Sequence, residues 1–366
     1  MIRVLQVVGK LALGGAETRL LELAKATDKS KFYFDFCVFE DGDYDEEIRR
    51  LGYGIVKCRL TKNIFRYSQR FSSLLRQGRY DVIHCHIYQF SGLPLRIAAK
   101  IGIPDRIMHL RITKGFYRNS FYRLCYNKLM TSWILKYATK IAAVSESAMT
   151  AYMGSQWQAD PRTTVIYNGV NVAPFLVAYD RLKTLSEFGI PRSAQVVTHV
   201  GNFLPPKDHE TLVQSAAELI SRKENVHLLL VGDGALMPKI RKLVAAKGLK
   251  NHIHFAGSRR DVPRLLLASD AFLFPSRWEG LPGAVLEALA AGLPVVASDI
   301  GSIREIAGQS DSMYLVPAGD ASGFAQKLQE ILADLQKYRK KPGQIPERFR
   351  FETYTRKMLS LYDNTE

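Results

Sequence analysis

Short runs of apolar residues punctuate the chain at regular intervals, each closed by turn residues and most followed by a stretch with helical spacing. In the first half these runs fall at residues 3–8, 32–39, 54–60, 81–86, 106–110, 141–144 and 164–167, with helices expected from about Ala16, Asp45 and Tyr67. Alternation of strand and helix implies parallel crossover units and hence a right-handed, doubly wound sheet. The turn-rich stretch Asn168-Gly169-Val170-Asn171-Val172-Ala173-Pro174 reads as a hinge. A second series follows at 195–200, 226–231, 253–256, 271–275, 294–297 and 313–316. The expected fold class is α/β, with Rossmann-like domains over 1–170 and 171–349. Two such domains in tandem put a cleft between the carboxyl ends of their sheets, where folds of this kind hold ligands.

The richest chemistry lies between Phe274 and Glu287. An apolar strand ends in Pro275-Ser276-Arg277-Trp278-Glu279-Gly280-Leu281-Pro282-Gly283, and a helix is expected from Ala284 to Ala291. Gly280, Leu281, Pro282 and Gly283 put no capping side chain before that helix. Its first N–H groups are therefore left bare, at the positive end of the helix, where a diphosphate is favoured. Glu279 stands in the turn and Glu287 on the helix, so two carboxylates are available to sugar hydroxyls. Phosphate donors beside two carboxylates suit a nucleotide sugar. Gly292 is placed to cap the helix, Pro294 bars its continuation, and Val295-Val296-Ala297-Ser298 reads as a buried strand.

This Glu279 to Ser298 segment resembles the retaining group 1 (family 4) glycosyltransferases, whose hallmark is two glutamates eight residues apart followed by an A-x-G-x-P-V-V-A-S run. The resemblance implies the GT-B architecture, two Rossmann-like domains facing each other across the cleft, with the last helix (about 350–366) packing back on the first domain. It implies a hexosyltransferase acting on a nucleotide diphosphate sugar, a UDP-sugar foremost, with no separate cofactor. By the same resemblance Glu279 holds the donor sugar, Glu287 the ribose, and Lys207 the diphosphate. Asn202 stands where an arginine is usual, and an amide brings neither charge nor a bidentate fork, so Arg259 is a candidate to share the load. Gly257, Ser258 and Arg259 fall where the family contacts the base. Gly14 and Gly15 open the first helix, where a bare backbone approaches a phosphate. The family's catalytic histidine maps to His109, with Arg111 in its place if the register shifts by two. Retention would proceed by same-face attack helped by the leaving diphosphate, since no carboxylate is evidently placed as a nucleophile.

Two metal signals are discounted. Asp41-Gly42-Asp43 spells D-x-D but lies in an acidic, turn-rich loop, and His84-Cys85-His86 offers two imidazoles without a recognisable third ligand. No metal is expected.

Charge refines the picture. Net charge is +16, and 17 basic residues against two acidic ones lie between Lys57 and Lys140, so the rest is nearly neutral. Phe65, Tyr67, Phe71, Phe116, Tyr117, Phe121, Tyr122, Tyr126, Trp133 and Tyr137 are interspersed. Basic and aromatic surface suits an anionic leaflet and a glycan or lipid-linked acceptor; steering of an anionic donor and nucleic-acid binding are the alternatives. Four isolated cysteines in apolar contexts suggest buried free thiols in a reducing compartment. No apolar run reaches about 18 residues and the N-terminus reads as a strand, so a cytoplasmic enzyme, peripheral at the inner membrane face, is expected. A nucleotide-sugar epimerase of the same fold and a basic nucleic-acid-binding protein are the rival functions.

Overall fold

The computed structural model describes residues 1–61, 63–113 and 120–363, in two compact units: residues 1–167 with 354–366, and residues 168–353. Among the described residues of the first unit, seven parallel strands are β1 (Ile2–Val7), β2 (Phe32–Val38), β3 (Gly54–Lys57), β4 (Val82–Cys85), β5 (Asp105–Leu110), β6 (Lys140–Ala143) and β7 (Thr163–Val165). Their spatial order is β3-β2-β1-β4-β5-β6-β7. The second unit has β8 (Gln195–Val200), β9 (Val226–Val231), β10 (Ile253–Gly257), β11 (Ala271–Phe274), β12 (Val295–Ser298) and β13 (Met313–Val316), ordered β10-β9-β8-β11-β12-β13. Each sheet therefore reverses its winding once, at β1/β4 and at β8/β11. Loops leaving the carboxyl ends of those strand pairs diverge, and the gap they leave is the natural ligand crevice of such sheets.

The strands lie within three residues of their sequence-expected bounds, because most are apolar runs buried on both faces; all of β4, β9, β11 and β12 is buried, while the edge strands β3 and β7 are only partly so. The expected helix from Tyr67 instead begins at Ile64, since the Asn63 side chain accepts from the Phe65 and Arg66 N–H groups and supplies the N-cap. Tyr67 and Phe71 are buried core residues of that helix, stacked at 5.6 Å, and offer nothing to a membrane. Phe116 and Tyr117 lie outside the described residues. Cys37, Cys58 and Cys85 are buried and free, but Cys125 is exposed on the helix Phe121–Tyr137, contrary to its expected burial.

The helices Ile64–Gly78 and Phe121–Tyr137 both pack against the helix Gly92–Ile101 and so belong to one layer on the first sheet. Ile64, Phe65, Phe121, Tyr122 and Leu124 are all exposed there, among the exposed cations Arg66, Arg70 and Lys128. No helix among the described residues is long and apolar enough to cross a membrane. The C-terminal segment docks on the first unit through Tyr362, a buried residue whose ring lies 6.0 Å from Phe34.

Candidate active site

In the second unit, Lys207 lies in the 3-10 turn Pro205–Lys207 after β8, and Glu279 in the loop after β11. The two loops are laced together at the switch point. Lys207 Nζ meets Glu279 Oε1 at 2.6 Å and sits 4.8 Å from the centre of the Phe274 ring. Arg277 donates its backbone N–H to Pro206 O and its Nε to Asp208 Oδ2, both at 2.8 Å. Asp208 holds a left-handed φ of 47° while its side chain caps the helix His209–Arg222. Backbone strain of this kind persists where surrounding contacts over-determine it, as they do here. Lys207 and Glu279 were read separately from sequence; the fold makes them one ion pair, so the ammonium is held in place.

Behind Lys207 lies His199, buried, with Nδ1 donating to Leu273 O at 2.9 Å and Nε2 without a partner among the described residues. Burial holds His199 and His209 neutral, and the lysine charge pushes them the same way. Gly201 closes the packing: a Cβ there would stand 2.9 Å from His199 Nε2 and 3.2 Å from Lys207 Cδ. Asn202 is exposed in the same loop.

The helix after Glu279 runs Gly283–Ala290, one residue earlier than expected, with Pro282 at its N-cap and no side-chain cap. Pro and Gly supply no capping oxygen, so the N–H groups of Gly283 and Ala284 remain available at the positive helix end. Gly280, Leu281 and Pro282 are buried, and the turn is pinned by Asn168 Nδ2 donating to Leu281 O at 2.8 Å and Ser302 Oγ donating to Glu279 O at 3.2 Å. Glu287, half-buried, is the fifth residue of the helix. Gly292 adopts φ 74°, and a Cβ there would lie 2.3 Å from Lys340 O, which explains the glycine after this helix.

Gly257 ends β10 at φ 69°, with Ser258 exposed beside it. Arg259 is turned to Asp261, with both nitrogen–oxygen distances 2.8 Å, and lies 3.5 Å from Glu187. Its guanidinium is thus held by two carboxylates, as the Lys207 ammonium is held by one.

In the first unit Gly14 precedes the helix Gly15–Ala26 in an extended conformation without a side-chain cap. Glu17, in the first turn of that helix, was not anticipated. Burial raises its carboxyl above the usual range, while a backbone hydrogen bond and then Arg111 pull it back. It lines an open pocket of about 530 Å³ with Lys10, Phe39, Glu40 and Leu60, among others.

Sheet register explains the next cluster. Gln6 of β1 lies opposite His84 of β4, and His84 lies opposite Ile107 of β5. His86 and His109 are each two residues further along, so all four side chains share one face. The ligand atoms of His84, His86 and His109 fall within 4.8 Å of one another. The third imidazole that was not recognisable beside His84 and His86 in the sequence is His109. The cluster is nevertheless dressed for hydrogen bonding, since Arg111 donates to His86, Gln6 contacts His86, and Tyr362 contacts His84. A guanidinium in that position opposes a second cation. Burial pushes all three imidazoles well below their ordinary pKa, and Arg111 pushes the same way, so they are neutral near pH 7. Sequence reasoning missed Gln6 and Tyr362; the spacing of His84, His86 and His109 along adjacent strands was a usable signal, but nothing pointed to a tyrosine 278 residues from His84.

Asp41 and Asp43 are both exposed. Asp41 pairs with Lys57, Asp43 accepts from the Leu13 N–H at 3.0 Å, and Gly42 packs on the Leu11 backbone. These are surface-loop contacts.

Comparison with known proteins accords with this arrangement. The sequence profile described as glycosyl transferases group 1 matches residues 194–334, and that of glycosyltransferase family 4 matches residues 13–173. EpsF, a glycosyltransferase of Bacillus subtilis (strain 168), is 31% identical over 309 residues, covering 81% of this chain and 79% of EpsF. The UDP-Gal:alpha-D-GlcNAc-diphosphoundecaprenol alpha-1,3-galactosyltransferase of Escherichia coli is 28% identical over 269 residues, 71% of this chain and 68% of that one. The crystal structure of HepE of Anabaena in complex with UDP and glucose superposes with a TM-score of 0.85 at 21% identity, over 98% of this chain and 99% of HepE, and shares its fold. The two parallel-sheet Rossmann-like units are those of the GT-B fold, and the chain belongs to the group 1, family 4 glycosyltransferases.

Proposed function

We propose that this glycosyltransferase draws on a nucleoside diphosphate sugar, a UDP-sugar, and passes the sugar with retention and without a metal to a lipid-linked glycan at an anionic membrane surface. The observation that carries the donor reading is the Lys207–Glu279 pair at the β8/β11 switch point, beside the uncapped start of the helix Gly283–Ala290. A diphosphate finds there a cation and bare N–H groups, and its departure is eased by the same donors. Glu279, released from Lys207 as phosphate arrives, becomes an acceptor for sugar hydroxyls, and Glu287 is assigned to the ribose. Gly14 and Gly15 are read as a phosphate approach, Gly257, Ser258 and Arg259 as base contacts through the backbone, and His109 as the residue at the reacting sugar. UDP and glucose bound to HepE, and the diphosphoundecaprenol acceptor named for the Escherichia coli relative, support the donor and acceptor classes. Exposed apolar residues among cations on the helices Ile64–Gly78 and Phe121–Tyr137 support docking on an anionic leaflet.

Titration calorimetry and thermal unfolding with UDP, GDP and ADP, and with their glucose conjugates, test the donor reading. UDP compounds are expected to stabilise the parent, by about 2.7 kcal/mol at a hundred times the dissociation constant. Lys207→Ala should weaken UDP binding about tenfold to a hundredfold, the loss of a charged hydrogen bond. Parent-like UDP affinity in Lys207→Ala would remove the diphosphate assignment.

A further inference from the structure

The histidine cluster carries more than proximity, because one of its members can only donate. A guanidinium has no acceptor lone pair, so Arg111 Nε, 2.9 Å from His86 Nδ1, must be the donor there. Neutral His86 then carries its proton on Nε2 and donates to Gln6 Oε1 at 2.8 Å. The Gln6 amide nitrogen is thereby turned to the Tyr362 hydroxyl oxygen, again at 2.8 Å. With that oxygen accepting, the phenolic proton goes to the acceptor that the described residues place beside it, His84 Nδ1 at 2.8 Å. His84 is left protonated on Nε2, which donates to His109 Nδ1 at 3.1 Å. His109 must carry its own proton on Nε2, a buried atom with no partner among the described residues. The opposite polarity at Tyr362, with His84 Nδ1 donating to the phenol, would strand the hydroxyl proton of a side chain 1% exposed. Every hydrogen in the chain points away from the Arg111 charge, which is also the orientation that charge favours.

We propose that Arg111, His86, Gln6, Tyr362 and His84 are positioning residues that hold His109 protonated on Nε2, so that His109 presents to a substrate oxygen a hydrogen-bond donor and not a base. This rests on the assignment of His109 to the reacting sugar and sharpens it. A donor at Nε2 stabilises charge gathering on an oxygen, and it cannot remove the proton of an attacking hydroxyl. That proton is left to the departing diphosphate, in keeping with same-face attack. The imidazole is neutral at the start of the chain's work and is not consumed by it.

Long-range proton–nitrogen spectra of the ¹⁵N-labelled full chain read the tautomer directly. The expected result for His109 is a protonated Nε2 and a bare Nδ1 in the free enzyme near neutral pH; a proton on Nδ1, or a mixture, overturns the chain. Tyr362→Phe keeps the ring and removes the relay, so His109 should become a mixture of tautomers. Turnover of the UDP-sugar selected by the stabilisation screen should fall about tenfold to a hundredfold with little change in KM. An unchanged tautomer, or full turnover with a scrambled tautomer, overturns the positioning role. His109→Gln, whose amide N–H reaches about as far as Nε2–H, should retain more activity than His109→Glu, and the reverse order would make His109 a base. Full turnover in His109→Ala would instead remove His109 from the reaction whatever its tautomer, so the two readings fail separately.

Discussion

Lys207, Glu279, His199 and Gly201 form a unit in which each residue type has a physical reason. The ammonium is held between a carboxylate at 2.6 Å and the Phe274 ring, and glycine at 201 leaves room for it beside His199. Buried neutral histidines carry a consequence for stability. His209 and His227 are pushed down to about 4, in both cases mainly by burial. A base whose pKa is lower folded than unfolded is protonated first in the unfolded chain, so between about pH 6.5 and about 4 the unfolded state binds more protons. Stability is therefore fully present above that window and falls as pH drops through it, by up to about 1.4 kcal/mol per pH unit for each group. Urea midpoints should decline from pH 7 to pH 5, and less so in His209→Gln. Midpoints flat across that range would show that these histidines titrate normally.

At the scale of elements, the helix Phe121–Tyr137 is informative because its exposed side is not polar. Phe121 is 76% exposed and Tyr122 is 85% exposed, while Met130 and Ile134 hold the helix to its neighbours. Large apolar residues set among cations are unfavourable in water and suited to a headgroup boundary. The Phe121→Ser, Tyr122→Ser double variant should bind phosphatidylglycerol vesicles about tenfold or more weakly than the parent, since each buried aromatic contributes about 1.5–3 kcal/mol. Its thermal stability should hold, because the replaced side chains support no core. Sedimentation should also show parent binding falling as salt rises, the Debye length being about 8 Å at 0.15 M. Equal recovery of the parent with phosphatidylglycerol and phosphatidylcholine vesicles at low salt would leave donor steering as the meaning of the charge.

For the whole molecule, the two sheets repeat one plan, each with chemistry at the carboxyl ends of the strands beside its single winding reversal. Gln6, His84, His86 and His109 gather at and next to β1/β4, and Lys207 and Glu279 at β8/β11. Asp41 and Asp43 are engaged elsewhere, and the three histidines are engaged with one another and with Arg111. Under the proposed function, neutralisation of the departing diphosphate falls to Lys207 and a helix end. UDP-sugar turnover should persist in excess EDTA, as a continuous assay of UDP release would record. Complete loss in chelator, restored by Mg²⁺, Mn²⁺ or Zn²⁺, would reinstate a metal, and restoration by Zn²⁺ alone would point to the histidines.

Strand positions, the helix after Glu279 with its glycine stop, and the identity of most candidate site residues are properties of local sequence. Burial on both faces makes a parallel strand an apolar run of set length, and glycine at 292 or proline at 294 acts on its own backbone whatever surrounds it. Asn63 as an N-cap was equally local and went unread. Partnership was not legible, because it depends on which segments the sheet order makes adjacent. Nothing near Lys207 names Glu279, 72 residues on, and nothing near Arg259 announces that Asp261 and Glu187 will hold its guanidinium. Tyr67 and Phe71 carry the same aromatic signal as Phe121 and Tyr122, and only packing sends one pair into the core and the other into solvent. The direction of the hydrogen bonds reaching His109 lies furthest from the sequence: it follows from an arginine that can only donate, transmitted through groups drawn from three strands and the C-terminal segment. Local pattern thus determined the strands and the helix punctuation, and the Glu279 to Ser298 motif carried the family resemblance, while the tertiary structure decided which candidate residues meet, because contact depends on strand order and not on neighbouring sequence.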